Sequence, residues 1–206
     1  VDFEAGEAVT FFETHKGADQ PFFLYYNISP PHCPVADMPE DYLTMYDPTQ
    51  IALRENADEA RIENRDYWYR VYRWDFRYYA HRLPHTMDLP EGYDLRALTA
   101  EYAGAVTWTD AAIGRVLDGL AKAGLQDDTL VVFVSDHGEN LGSHGYVQKG
   151  TENDESLCIP MMMAGPGIQP GQRVTDAVGS LVDLAPTLVE TAGAAAQAQF
   201  HGQSLW

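Results

Sequence analysis

Asp136 and His137 are neighbours in the chain. A hard carboxylate oxygen beside an imidazole nitrogen makes half of a divalent-metal site. Downstream stands Lys149, a compact positive charge able to bind an oxyanion. Between them Gly138, Gly142 and Gly145 let the backbone turn close to a ligand, and His144 sits among these glycines. His32 lies far upstream, in Ser29-Pro30-Pro31-His32-Cys33-Pro34. A proline-rich turn holds few conformations, so it presents the ring rigidly. Each residue also has a plain structural reading. An Asp-His pair after a strand caps a turn, a lysine is a solvated charge, and a turn histidine satisfies local backbone.

These side chains need elements to carry them. Leu130-Val131-Val132-Phe133-Val134 is an unbroken apolar run rich in β-branched residues, which predicts a strand buried on both faces, as in a parallel sheet. Asp136 and His137 would then stand at its carboxyl end, where open α/β sheets place their chemistry. Residues 22–28, Phe-Phe-Leu-Tyr-Tyr-Asn-Ile, predict a second buried strand that delivers His32. Apolar spacing predicts a helix over residues 1–16. It predicts a longer one over 95–124, with a stripe of Ala103, Val106, Ile113, Val116, Leu117 and Leu120 closed by Gly124. The longer helix is read as the crossover of a βαβ unit. A strand over 157–163, an edge strand over 173–179 and a helix over 182–192 follow, and 38–46 forms a short turn segment. The fold class is α/β, with a mostly parallel central sheet and helices on both faces. Residues 58–82 carry a weak helical pattern dense in tyrosine, tryptophan and arginine. An aromatic face packed on the sheet explains it better than a sugar or nucleic-acid surface. His81 and His85 are spaced for one helix face, but Pro84 between them argues against a second metal site there.

The chain of 206 residues is long enough for one core, so residues 1–206 are read as a single domain. A formal charge of −18 excludes general nucleic-acid binding, which needs a basic surface. An anionic substrate would need a local reversal of sign, which a divalent cation and Lys149 supply. No stretch is apolar for the ~18 residues a membrane span needs. Two cysteines, Cys33 and Cys158, do not make a disulfide scaffold.

The stretch Ser135-Asp136-His137-Gly138-Glu139, then Gly142-Ser143-His144-Gly145 and Lys149, resembles the sulfatase family within the alkaline-phosphatase-like superfamily. The likeness continues through Glu155, Ile159-Pro160-Met161, Gly165-Pro166-Gly167, Val182-Asp183-Leu184-Ala185-Pro186-Thr187-Leu188 and Gly202-Gln203-Ser204-Leu205. It covers residues 101–206 and the surroundings of 21–34. The resemblance implies hydrolysis of a small-molecule or carbohydrate sulfate ester with a divalent metal, usually calcium and sometimes magnesium. A histidine at 137 also suits manganese or zinc. It makes Asp136 and His137 metal ligands, and Lys149 a sulfate contact with a catalytic part. His32 becomes a contact or general acid on the leaving-group side. His144 is a weaker substrate contact that also serves to orient its loop. Residues 48–94 match a region that varies in the family and shapes the substrate pocket.

The family's nucleophile is a formylglycine made from a cysteine or serine in a Cys/Ser-x-Pro/Ala-x-Arg motif, and a further Asp-Asp pair binds metal. Cys158-Ile159-Pro160 is followed by Met161-Met162, with no arginine in place, and Asp127-Asp128 precedes a strand instead of ending one. The chain is therefore read as the carboxyl-side part of a longer catalytic domain, inactive alone. A phosphonate or phosphate ester hydrolase of the same superfamily, and a non-catalytic binding module, remain as alternatives. Oligomeric state stays open, as do periplasmic, secreted and cytoplasmic placements.

Overall fold

The computed structural model describes residues 1–74, 89–195 and 199–206. Among these described residues six α-helices and two strands follow in order: α1 (Asp2–His15), α2 (Glu40–Leu43), α3 (Arg65–Trp74), α4 (Leu95–Lys122), β1 (Val131–Val134), α5 (Asp154–Leu157), β2 (Met161–Ala164) and α6 (Leu184–Thr191). His81 and His85 lie outside the described residues.

Helix α4 is the spine. Asp94 caps it, its carboxylate accepting the Arg96 and Ala97 N–H groups at 2.9 and 3.0 Å. Gly124 ends it in the left-handed region at φ +73°. Its buried face is rotated from the predicted stripe. Val116 and Leu120 are buried as expected, but Val106 and Leu117 are each 44% exposed, and the rest of the contact is made by Leu98, Gly104, Ala105, Ala112 and Gly119. Close approach explains the shift, because small residues admit neighbouring backbone. A Cβ on Gly104 would stand 2.1 Å from the Tyr42 carbonyl oxygen, and one on Gly119 would stand 2.7 Å from Val9.

Two cores flank this spine. In the first, Ala5, Ala8 and Phe12 of α1 meet Ala112, Val116 and Leu120 of α4, with Phe22, Leu24, Tyr26 and Val131 packed at the margin. Fully burying a side chain such as Phe12 contributes about 1.5–3 kcal/mol. In the second, Tyr69 and Tyr72 of α3 pack with Cys33, Val35, Ile62, Leu95 and Leu98. The aromatic face of α3 is thus core, as expected, but it rests on α4 and the Cys33 segment and not on a sheet. A polar joint closes this contact. The Arg73 guanidinium pairs with Glu101 and lies 5.3 Å from the centroid of the Tyr93 ring, whose hydroxyl donates to Glu101 at 2.7 Å.

The expected parallel sheet is not what the described residues form. Their only sheet is β1 with β2, antiparallel, with Val131 opposite Ala164 and Val134 opposite Met161. A parallel neighbour requires a crossover of a dozen or more residues, usually helical. The link from β1 to β2, residues 135–160, is long enough for that but supplies no crossover helix beyond the single turn of α5, and β2 returns beside β1 in the opposite sense. All four β1 residues are half-buried, where burial on both faces was expected. Residues 22–28 are extended and alternate as a strand does, with Phe22, Leu24 and Tyr26 turned to the core and Phe23 and Tyr25 exposed. They join no ladder among the described residues. The expected edge strand over 173–179 is irregular and exposed, and α6 is preceded by a 3₁₀ turn at Leu181–Asp183. Neither cysteine is in a disulfide, and no helix among the described residues is long and apolar enough to cross a membrane.

Candidate active site

Strand β1 ends at Val134, and the Ser135 N–H still reaches the Pro160 carbonyl at 3.3 Å. The chain then turns. Ser135 Oγ donates to the His137 carbonyl at 2.8 Å, and the His137 N–H donates to Asp136 Oδ1 at 3.0 Å. The Asp136 carboxylate is left pointing outward, its side chain 84% exposed. Nδ1 of His137 stands 2.8 Å from the Gly138 carbonyl, which can only accept, so Nδ1 carries a proton, and in the neutral ring Nε2 is the nitrogen with the free lone pair. That Nε2 is 3.6 Å from Asp136 Oδ2. Two ligands on one cation, with bonds of about 2.2 Å at octahedral to tetrahedral angles, lie about 3.1–3.6 Å apart. That spacing would let both side chains reach one divalent ion, the rest of whose shell would come from other groups. Among the described residues no group of three His, Cys, Asp or Glu side chains could hold a metal unaided.

Gly138 has its own requirement. Its N–H donates to the Ser156 carbonyl at 2.8 Å, and a Cβ there would stand 2.0 Å from the Glu155 oxygen. From Gly138 the chain enters a tight double turn. Leu141, His144 and Gln148 adopt positive φ at 41°, 56° and 66°, joined by Gly142, Gly145 and Gly150. Backbone of this kind costs about a kilocalorie or more per non-glycine residue and persists where surroundings fix it. Asn140 does much of the fixing. It is fully buried, its amide nitrogen donates to the Gln148 carbonyl at 2.6 Å and to Thr151 Oγ1 at 3.1 Å, and its oxygen accepts from Asn153 at 3.2 Å. Arg54 pins the outside, donating to the Glu139 and Asn140 carbonyls, both at 2.9 Å.

The product of this loop is the placement of Lys149. Its ammonium stands 2.7 Å from His32 Nε2 across 117 residues of chain. The ammonium can only donate, so Nε2 accepts. Nδ1 of His32, 3.0 Å from the Cys33 carbonyl, bears the ring proton. The turn holding His32 is anchored by its own N–H to the Ser29 carbonyl at 3.0 Å and by Thr109 of α4 to the Pro30 carbonyl at 3.2 Å.

His144 is held elsewhere. Its Nε2 is 3.4 Å from Glu155 Oε2 and 3.2 Å from the Asn56 amide nitrogen, and that amide donates to Glu155 Oε1 at 2.6 Å. The Asn56 hydrogen bond, more than any other cause, holds the Glu155 carboxyl below its ordinary value. Backbone bonds reinforce the tie, with the His144 N–H on the Asn56 carbonyl at 2.8 Å and the Asp58 N–H on the Gly142 carbonyl at 2.9 Å. So the structure pairs Asp136 with His137 and His32 with Lys149, and it gives His144 to a clasp on residues 56–58. Asn140, Arg54 and Asn56 have no sequence signal of their own. An asparagine in a glycine-rich turn looks like any other turn residue until its burial is seen.

The fold is that of the alkaline-phosphatase-like superfamily. The crystal structure of a phosphonate monoester hydrolase of Agrobacterium radiobacter superposes with a TM-score of 0.72 at 27% identity, over 98% of this chain and 41% of that one. Within that superfamily the chain belongs to the sulfatase family, whose profile, described as Sulfatase, matches residues 5–194. The multifunctional alkaline phosphatase superfamily protein PehA of Trinickia caryophylli is 32% identical over 98% of the chain and 40% of its own length. An ulvan-active sulfatase of Formosa agariphila is 31% identical over 89% of the chain and 30% of its own length. The chain thus spans well under half the length of these relatives.

Proposed function

We propose that this chain is the part of a sulfate-ester hydrolase that carries one side of the metal site and the leaving-group side of the sulfate site. The observation that carries the reading is the 2.7 Å contact between Lys149 and His32, drawn together across 117 residues of the chain. In a molecule of charge −18, an ammonium held at the end of a strained loop beside a histidine serves an anion. A sulfate oxygen takes hydrogen bonds from the Lys149 ammonium in place of His32 Nε2. That nitrogen, once released, takes up a proton from solvent and passes it to the departing alcohol oxygen as the sulfur–oxygen ester bond breaks. Asp136 and His137 would hold the divalent metal, calcium in the first instance, with magnesium or manganese as alternatives. The metal would polarise the sulfuryl oxygens and favour attack. The formylglycine nucleophile and the remaining metal ligands belong to a longer chain of which these residues form one partial domain. Residues 48–94 are the variable part of that domain, and the substrate is a small-molecule or carbohydrate sulfate ester.

The test uses the longer protein. Elemental analysis should find about one equivalent of divalent metal, lost in Asp136→Ala, and an aryl sulfate should be turned over faster than an aryl phosphonate or phosphate. Metal without sulfate turnover, but with phosphonate turnover, would favour the second reading, a phosphonate or phosphate ester hydrolase, which the Agrobacterium likeness supports. Neither metal nor turnover would leave a non-catalytic binding module.

A further inference from the structure

Tyr72 touches the loops on both sides of the site without belonging to either. It lies on α3 and is 2% exposed. Its carbonyl accepts the Val35 N–H at 2.8 Å, and the Arg73 carbonyl beside it accepts the Ala36 N–H at 3.1 Å. These bonds seat the chain just beyond His32-Cys33-Pro34. Its hydroxyl donates to Glu139 Oε2, in the loop that begins at Asp136 and His137. The other carboxylate oxygen, Glu139 Oε1, accepts the Leu141 N–H at 3.1 Å and so binds the first residue of positive φ in that loop.

A phenylalanine would fill the same core position, so packing alone does not call for the hydroxyl. Burial of the phenol and the charge of Glu139 push the Tyr72 hydroxyl well above the usual tyrosine range, so it stays a donor wherever the enzyme would work. We infer that Tyr72 and Glu139 are positioning residues, a strut that sets the spacing between the His32 turn and the Asp136-His137 turn. The inference deepens the proposed function and rests on it, because it takes those turns as two sides of one sulfate site.

The test is made in the longer protein with Tyr72→Phe, Glu139→Gln, Glu139→Ala and the double variant Y72F/E139A. On an aryl sulfate at saturating metal, Tyr72→Phe should lower kcat about tenfold with KM within about twofold, the mark of misplaced reacting groups. Glu139→Gln keeps an acceptor for the hydroxyl and should lose less than Glu139→Ala. The double variant should be no worse than the poorer single one. Multiplying losses, or a lowered Tm with kcat unchanged, would overturn the strut. Hydrogen exchange supplies a readout independent of activity. In Tyr72→Phe the amides of residues 32–36 and 136–141 should gain exchange together, even if the wild type proves to have no sulfatase activity. Unchanged exchange in either segment would overturn the inference, whatever the fate of the functional reading.

Discussion

His32 can accept a hydrogen bond at Nε2 only while that nitrogen carries no proton, and the Lys149 ammonium supplies the bond. Removing the lysine therefore takes away both the proposed sulfate contact and the group that orders the ring. In the longer enzyme Lys149→Ala should lower kcat/KM about 10²–10³-fold, the range for losing one preorganised donor to a developing anion. Steady-state kinetics on an aryl sulfate would check it, and a change within twofold would return Lys149 to the surface. Glu155 makes a pH prediction. Its carboxyl is held below the ordinary 4.5 by the Asn56 amide first, so the clasp contributes fully above that value and is lost as pH falls through the lowered one. Melting temperatures of wild type and Glu155→Gln should differ at neutral pH and converge as pH falls past 4.5 through the lowered value. At this scale the sequence offers candidates where the chemistry is rare. Asp136, His137, His32 and Lys149 stand out by type and context, and the structure sets them in two pairs. Tyr72, Asn140 and Asn56 do not stand out, because their importance comes from partners distant in the sequence.

Elements were legible where a local pattern decides them. Helix α1, the ends of α4 and the Gly124 stop follow from spacing and caps, which act within a few residues. The phase of α4 was not legible, because its buried face is chosen by how closely Tyr42 and Val9 approach, and no local hydropathy records that. Strand pairing was misread for the same reason: direction belongs to the partner and the connection, not to the run of valines. The α3–α4 joint yields a prediction here. Glu101 accepts from both Arg73 and Tyr93 where all three are mostly buried, so Glu101→Ala takes a shared acceptor from two buried donors and should cost about 1–3 kcal/mol in chemical denaturation. The turn after β1 yields another. In Gly138→Ala the new methyl would meet the Glu155 carbonyl, so the turn must open. Metal affinity should fall at least tenfold, with a Tm loss smaller than that of Glu101→Ala, which metal titration beside calorimetry would resolve.

For the molecule as a whole, metal binding and folding should be coupled. A chelator should lower the Tm of the longer protein, by an amount that grows with the metal concentration removed, and should leave the Tm of Asp136→Ala unmoved. The exposed edge of residues 22–28 has a second whole-molecule effect. Phe23 and Tyr25 face outward on extended backbone that pairs with no described strand, so these residues alone should self-associate as concentration rises. Light scattering across a dilution series would show it, and Phe23→Lys should suppress it.

The separation of 117 residues between His32 and Lys149 also sets an order of events in time. On the ribosome the histidine turn emerges early and must wait, with α1 and α3 still lacking the α4 face they pack on, while the whole of α4 and β1 is made. Only then does the lysine arrive. Until then the contact between them cannot form. A protease cut in the intervening stretch that lets the pieces part would undo the site at a single stroke, though it removed neither residue.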